Sequence, residues 1–129
     1  MKQLKQTVIS IAMAATLAMA SSPIFAEATG EAKVREAAEG AIAKIEEAVS
    51  LVEKGADKNE IIKSINDARQ LQKEFRYELT ERQRQKANDK LRVARDGFEN
   101  GEIQPAEAKL REALAGFKEM KEFYDANHK

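Results

Sequence analysis

Apolar residues recur at alternating steps of three and four positions after residue 33, which is the spacing of one face of an α-helix. Four such stripes can be traced. They comprise Val34, Ala38, Ala41, Ile45, Ala48 and Val52; Ile61, Ile65, Ala68, Gln72, Phe75 and Leu79; Ala87, Leu91, Ala94 and Phe98; and Ala106, Leu110, Ala113, Phe117, Met120 and Tyr124. The pattern predicts four amphipathic helices. The third stripe is the thinnest, because the turns that precede it (ERQRQK) are polar all round.

Local signals predict where three of these helices begin or end. Gly55 follows the first stripe and is expected to end that helix in the left-handed conformation that glycine tolerates best. Asp57 with Glu60, and Thr80 with Gln83, have the spacing of capping boxes. We therefore expect the second helix to open at Asp57, with a stripe that reaches Leu79, and the third to open at Thr80.

The predicted helices are joined by short connections, which favour antiparallel neighbours. Gly101 is expected to stop the third helix, and Pro105 suits the first position of the fourth. The fold class is therefore all-α, an up-down-up-down four-helix bundle. The segments 53–55 (EKG) and 99–101 (ENG) lie 46 positions apart, which favours two repeated helical hairpins, with chance similarity of amphipathic helices as the alternative.

The N-terminal segment has the pattern of a secretory signal. Lys2 and Lys5 form a positive start, residues 8–20 are apolar, and the segment ends on the small residue Ala26. This apolar run is shorter than the roughly 20 residues that a membrane-spanning helix needs. We predict a cleaved signal peptide at residues 1–26, a mature bundle at residues 27–129 and a periplasmic location, with an uncleaved anchor as the alternative.

Composition narrows the functions open to the mature chain. It has 20 basic and 22 acidic residues, a formal charge of −2, which gives no electrostatic case for binding nucleic acid. The sequence has no cysteine, which excludes disulfides, thiolate catalysis and covalent haem attachment. Its two mature serines, Ser50 and Ser64, fall inside predicted helices, and His128 is the only histidine. We therefore expect a protein that is not an enzyme and folds without a cofactor.

One pair of residues could bind a divalent metal. Asp125 and His128 are three positions apart, so one turn of a helix would bring a carboxylate and an imidazole to the same ion. Copper, nickel or zinc is possible there, and binding is expected to be weak because copper and nickel prefer several nitrogen ligands. The alternative is a disordered polar tail.

A second candidate site is the basic stretch around residues 76–95. Several of its cations lie in the first turns of the third helix, where the helix dipole disfavours positive charge. The residues assigned to a client or partner surface are Phe75, Tyr77, Arg82, Arg84, Lys86 and Arg92. The two aromatic rings are expected to be exposed. The alternative is a solvated helix end whose charges pair with neighbouring helices.

The hairpin pattern, from IEEAV at residues 45–49 through EKG at residues 53–55, resembles the small metal-binding protein family of bacterial periplasms. The second copy, residues 91–113, is similar to it too. The resemblance covers roughly residues 40–125. It implies a four-helix bundle that binds divalent metals such as copper and nickel through many histidines, whereas this chain has His128 alone.

The segment LTERQ at residues 79–83 fits the Leu-Thr-x-x-Gln motif and resembles the Spy-like periplasmic chaperones. That resemblance implies binding of unfolded clients on a concave basic and apolar surface. The leading expectation is an exported, non-enzymatic binding protein, with weak divalent-metal sequestration as its most concrete form. The alternative is a chaperone-like or protein-interaction bundle of the cell envelope. A monomer or weak dimer is expected.

Overall fold

The computed structural model describes residues 30–128. The α-helices of this part of the chain are α1 (Glu31–Glu53), α2 (Lys58–Leu71), α3 (Glu81–Glu99) and α4 (Ile103–Ala126). Two short 3₁₀ turns, Gln72–Glu74 and Glu78–Thr80, lie between α2 and α3. The predicted all-α class is confirmed, and the predicted signal peptide lies outside the described residues. The helices pack together within one compact unit that begins at residue 34, near the start of α1.

Polar contacts between side chains join each helix to two neighbours. The bridging pairs are Lys44–Asp67 (3.7 Å) between α1 and α2, Arg69–Asn88 (3.1 Å) between α2 and α3, Lys90–Glu112 (3.3 Å) between α3 and α4, and Lys118–Glu46 (3.2 Å) between α4 and α1. Because this order closes on itself and each connection is short, the helices form the predicted four-helix bundle. Among residues 30–128, no helix is both long and apolar enough to cross a bilayer.

The core of the bundle lies where the four stripes meet. Its largest fully buried apolar side chains are Phe75, Phe98, Phe117, Ile45, Ile65, Leu91, Leu110 and Met120. Every position of the stripes predicted for the third and fourth helices is buried. Alanines fill many of the remaining core positions, and their small side chains let the helices approach closely. Burial of these side chains is the main source of stability, at about 1.5–3 kcal/mol for each large one.

Helices α1 and α3 end in the same hydrogen-bonded motif. Gly55 has a φ of +73°, and the Ala56 amide donates to the Leu51 carbonyl at 2.9 Å. Gly101 has a φ of +80°, and the Glu102 amide makes the same six-residue bond at 2.8 Å. Both ends are Schellman motifs, in which a left-handed residue satisfies the last helical carbonyls. The predicted glycine caps are confirmed.

The predicted starts of α2 and α3 are correct in place, whereas one predicted capping bond and the predicted start of α4 are not. The Asp57 carboxylate accepts a hydrogen bond from the Asn59 amide at 2.9 Å and caps α2 as expected. Thr80 does precede α3, but its hydroxyl donates to the Tyr77 carbonyl at 3.4 Å, so the predicted capping bond is wrong. Pro105 is the third residue of α4 rather than the first. That position still lacks a helical acceptor for its nitrogen, so proline costs no hydrogen bond there.

Helix α2 is shorter than its stripe predicts. It ends at Leu71, although the apolar spacing continues to Leu79. Residues 72–80, which we call the corner, run as a 3₁₀ turn, an extended stretch and a second 3₁₀ turn. Leu79 is consequently 67% exposed instead of joining the core. The corner is therefore the part of the bundle that departs most from the predicted helical plan.

Candidate functional site

The corner is built on a buried glutamine. Gln72 is 2% exposed, and its side-chain nitrogen donates to the Arg69 carbonyl at 2.9 Å. Its side-chain oxygen accepts a hydrogen bond from Nη1 of Arg84 at 2.7 Å. Both ends of the amide are thus satisfied, as a buried polar group requires. Gln72 therefore ties the end of α2 to the first turn of α3.

The side chain of Arg84 binds two other residues of the corner region. Besides Gln72, its guanidinium binds the carboxylate of Glu81, and its side chain is only 12% exposed. The hydrogen bond from Arg84 lowers the pKa of Glu81 below its ordinary value of 4.5. Charge-assisted bonds of this kind are stronger than neutral ones. Of the residues predicted for the partner surface, Arg84 is thus the one most engaged in holding the corner together.

The expectation that Phe75 is exposed is wrong. Its side chain is fully buried and meets the ring of Tyr124 edge to face, with centroids 6.1 Å apart. Position 75 also belongs to the apolar stripe of the second helix, and it stays in the core although α2 has given way to a 3₁₀ turn. Tyr77 is half-buried and contacts Tyr124 edge to face at 4.9 Å. Only one of the two predicted aromatic rings therefore reaches the surface.

An apolar patch does lie at the corner, with partly different members. The ring of Phe123, on α4, is 6.1 Å from that of Tyr77, and Phe123 is 45% exposed. Leu79, two residues further along the corner, is 67% exposed. Large apolar side chains grouped at a surface are typical of interaction sites. We call Tyr77, Leu79 and Phe123 the end patch.

The predicted cations are divided between two places. Arg82 and Lys86 are exposed in the first turns of α3, close in sequence to the corner, as is Arg76 within it. Arg92 lies ten residues beyond Arg82, which is about 15 Å along a helix. It is 3.9 Å from an aspartate on either side of it in α3. Along the chain, Arg82 and Lys86 thus lie close to the corner, whereas Arg92 lies further along α3.

Asp125, the predicted metal-binding carboxylate, accepts hydrogen bonds at both oxygens. One oxygen is 2.6 Å from Nζ of Lys121, and the other is 3.0 Å from Nε of Arg35. The bond from Lys121, helped by that from Arg35, lowers the pKa of Asp125 below 3.8. The carboxylate is therefore ionised at neutral pH, but two cations already neutralise it.

His128, the predicted imidazole ligand, packs into an aromatic cluster. Its ring stacks on Tyr124 with centroids 3.8 Å apart and meets Tyr77 edge to face at 5.2 Å. Its Nδ1 is 2.8 Å from the Tyr124 carbonyl. Within residues 30–128, no three His, Asp or Glu side chains are grouped so as to hold a metal ion. Divalent-metal binding by Asp125 and His128 stays a prediction.

Two residues that contribute to the candidate site, Phe123 and Gln72, were not predicted from the sequence to belong to it. Phe123 lies off the apolar stripe of the fourth helix, so spacing alone makes it an ordinary surface residue. Gln72 stands in the second stripe as its one polar member. That single polar residue in an apolar stripe was the available signal, since a buried amide needs partners that a regular helix does not supply.

No protein-family model matches this chain, and comparison with curated proteins and with solved structures gives no match. Function is therefore inferred from the geometry of the bundle itself. Both resemblances drawn from the sequence stay predictions.

Proposed function

We propose that this protein is an exported, non-enzymatic binding protein of the cell envelope that holds extended protein segments at the corner. The observation that carries the proposal is the end patch, where Phe123 contacts Tyr77 and the exposed Leu79 follows Tyr77 by two residues in the chain. Export rests on the pattern of residues 1–26. The occupant we propose is an unfolded segment that carries apolar and acidic side chains.

The apolar part of this preference follows from exposure. Leu79 and Phe123 leave much of their surface in water, and covering apolar surface is favourable by about 25 cal/mol per Å². Neither side chain is needed to fill the core, which Phe75 closes from the same corner. A tyrosine beside them adds a rigid ring of the kind that is enriched in binding hot spots. The patch therefore suits short apolar stretches of a client.

The acidic part follows from charge. Residues 72–86 contain five cations and three anions. One of the cations, Arg84, binds Glu81, while Arg76 and Arg82 are exposed and lie within three residues of Tyr77 or Leu79 in the chain. Complementary charge speeds encounter and selects among partners more than it adds affinity. An acidic residue flanking the apolar stretch of a client would meet these arginines.

The test is suppression of aggregation of a chemically reduced client protein, at equimolar ratio and at two salt concentrations. We expect the unmodified protein to protect the client and Phe123→Ser or Leu79→Ser to reduce protection severalfold. The matched control is Ile103→Ser, because Ile103 is 44% exposed, close to the 45% of Phe123, and begins α4 at its other end. If the unmodified protein does not protect the client, the proposal is wrong. If Ile103→Ser loses as much protection as the other two variants, the end patch is not the binding site.

A charge variant separates the electrostatic contribution. Arg82→Glu is preferable to any change at Arg84, because Arg84 holds the corner together and its loss would alter the fold. We expect Arg82→Glu to lower protection at low salt and to matter less at high salt, since salt screens exposed charges. Arg111→Glu, an exposed arginine of α4, is the control of equal charge change. The same loss in both variants would show an effect of net charge only.

A further inference from the structure

A polar cavity lies between α2 and α3, apart from the end patch. Its volume is about 420 Å³, and its walls are formed by Asn66, Arg69, Gln70, Gln72, Lys73, Asn88 and Arg95. All seven residues are polar, three of them are cationic, and none is acidic. We call this cavity the Arg69 groove. A volume of this size is within the range of small-molecule sites.

Arg69 is held in place across the groove. Its Nε donates to the Asn88 side-chain oxygen at 3.1 Å, which links α2 to α3. A guanidinium has five N–H donors in a fixed plane, so this bond orients the remaining four. The side chain is half-buried, and its direction is therefore set by packing as well as by the amide.

Positive charge is crowded around Arg69. Burial is the main cause that lowers the pKa of Arg69, and the charges of Arg95 and Arg92 lower it further. The like charges of these arginine side chains repel one another. The arrangement therefore carries an electrostatic cost that a bound anion would remove.

Two acids of α3, Asp96 and Asp89, act on Arg69 in the opposite direction and offset the positive charge only in part. One oxygen of Asp96 accepts bonds from both Nε and Nη2 of Arg95, at 3.2 and 3.0 Å. Asp96 and Asp89 are each 3.9 Å from Arg92. Neither aspartate lines the groove. Arg69 thus faces a cavity whose own walls supply cations and amides alone.

We propose that the Arg69 groove binds a phosphate group, held by the guanidinium groups of Arg69 and Arg95 and by the ammonium of Lys73. Planar guanidinium groups match phosphate oxygens two at a time, and several of them suit a group with more than one negative charge. The amides of Asn66 and Gln70 supply further N–H donors. The cavity exceeds the size of a free phosphate, so the group can belong to a larger molecule. The end patch has no part in this binding.

One experiment with two arms distinguishes a soluble phosphate ligand from the phosphate of a lipid headgroup. In the first, inorganic phosphate is titrated into the protein by calorimetry at low ionic strength. In the second, the protein is sedimented with vesicles of phosphatidylcholine, with and without phosphatidylglycerol. Binding of inorganic phosphate identifies a soluble ligand, whereas binding to the anionic vesicles alone identifies a lipid headgroup.

The same variants apply to both arms. We expect Arg69→Met and Arg95→Met each to weaken binding about tenfold or more, the loss expected for a charge-assisted hydrogen bond. Arg111→Met is the matched control, because Arg111 is exposed on α4, pairs with Glu53 and Glu107, and has the same charge. Circular dichroism verifies that each variant is folded. If Arg69→Met or Arg95→Met is not folded, Lys73→Met replaces it in the test, because Lys73 is exposed. We expect this variant to lose less affinity than the arginine variants.

The proposal is overturned if neither inorganic phosphate nor anionic vesicles bind the unmodified protein. It is also overturned if the groove variants bind as tightly as Arg111→Met, because binding would then reflect general charge. Protection of clients by the end patch is measured separately, so each proposal can fail without the other.

Discussion

The two hairpins of the bundle begin alike and then diverge. The first (α1–α2) and the second (α3–α4) each turn through a Schellman motif, at Gly55 and at Gly101, 46 positions apart. After that turn α4 continues for 24 residues, whereas α2 stops after 14. The position that ends α2, Gln72, is buried, and its counterpart Lys118 is exposed on a continuous helix.

A small local difference accompanies the early end of α2. The two hairpins share their turn and their apolar spacing, so neither feature explains the break. What the first hairpin has in addition is an amide inside the core, that of Gln72, which Arg84 of α3 satisfies. Helix α2 ends next to this amide, and the corner begins with it. The second hairpin, without it, presents a regular helix whose apolar side chains are mostly buried.

The largest expected difference in stability is between alanine substitutions at Phe117 and at Leu71, the residue 46 positions earlier in the first hairpin. Phe117 is fully buried and Leu71 is 37% exposed. Phe117→Ala should lower the free energy of unfolding by about 3–5 kcal/mol, the usual cost of a large cavity. Leu71→Ala should cost about 1 kcal/mol, because less area returns to water. Urea denaturation of both variants measures this. Equal losses would mean that the two hairpins contribute to the core symmetrically.

The next effect concerns the residue that ends α2. Gln72→Ala removes the acceptor for Arg84 and the donor to the Arg69 carbonyl. This change should destabilise the protein by about 2–3 kcal/mol. Lys118→Ala, at the equivalent position, should alter stability by no more than a few tenths of a kcal/mol, because its pair with Glu46 is exposed. Thermal unfolding followed by circular dichroism compares them. A neutral Gln72→Ala would show that α2 ends for another reason.

A smaller effect tests how closely the helices approach in each hairpin. A Cβ at Gly97 would lie 2.8 Å from Cβ of Ala106, closer than two carbon atoms can pack. Gly97→Ala should therefore cost about 1 kcal/mol or more, despite its gain in helix propensity. At Gly40 the nearest atom is the flexible end of Leu71 at 3.3 Å, and Gly40→Ala should be nearly neutral.

Gly116→Ala is the control for this third comparison. The new Cβ would be 3.6 Å from Ala87, which is an ordinary contact. Helix propensity should then make this variant more stable by about 1 kcal/mol at most. Chemical denaturation of the three glycine variants ranks them. If Gly97→Ala were as stable as Gly116→Ala, the close approach in the second hairpin would be wrong.

The smallest expected effect is the pH dependence that Glu81, the first residue of α3, contributes to stability. Because the pKa of Glu81 is lowered in the folded state, the unfolded chain takes up the proton first as the pH falls below 4.5. The contribution of Glu81 to stability is therefore complete above that pH and is lost as the pH falls through the lowered value. Glu81→Gln should flatten the acid side of a plot of melting temperature against pH. An acid slope that is the same in Glu81→Gln as in the unmodified protein would contradict this expectation.

The sequence allowed most of the fold to be predicted because the relevant signals are local. Gly55 and Gly101 cap helices through bonds within six residues, and the apolar spacing identifies the helical faces. The early end of α2, which leaves Leu79 exposed, could not be predicted in this way, because it coincides with the tertiary pairing of Gln72 with Arg84. The same holds for Asp125, whose bond to Arg35 joins residues 90 positions apart.

The stacked position of His128 gives the protein a built-in reporter. As the one histidine in the chain, its imidazole protons give a distinct pair of NMR signals. Ring currents from Tyr124, 3.8 Å away, will displace these signals from those of a free imidazole. Since Tyr77 contacts the same ring and belongs to the end patch, a client that moves Tyr77 will shift them again. Occupancy of the corner can thus be followed on the unlabelled protein.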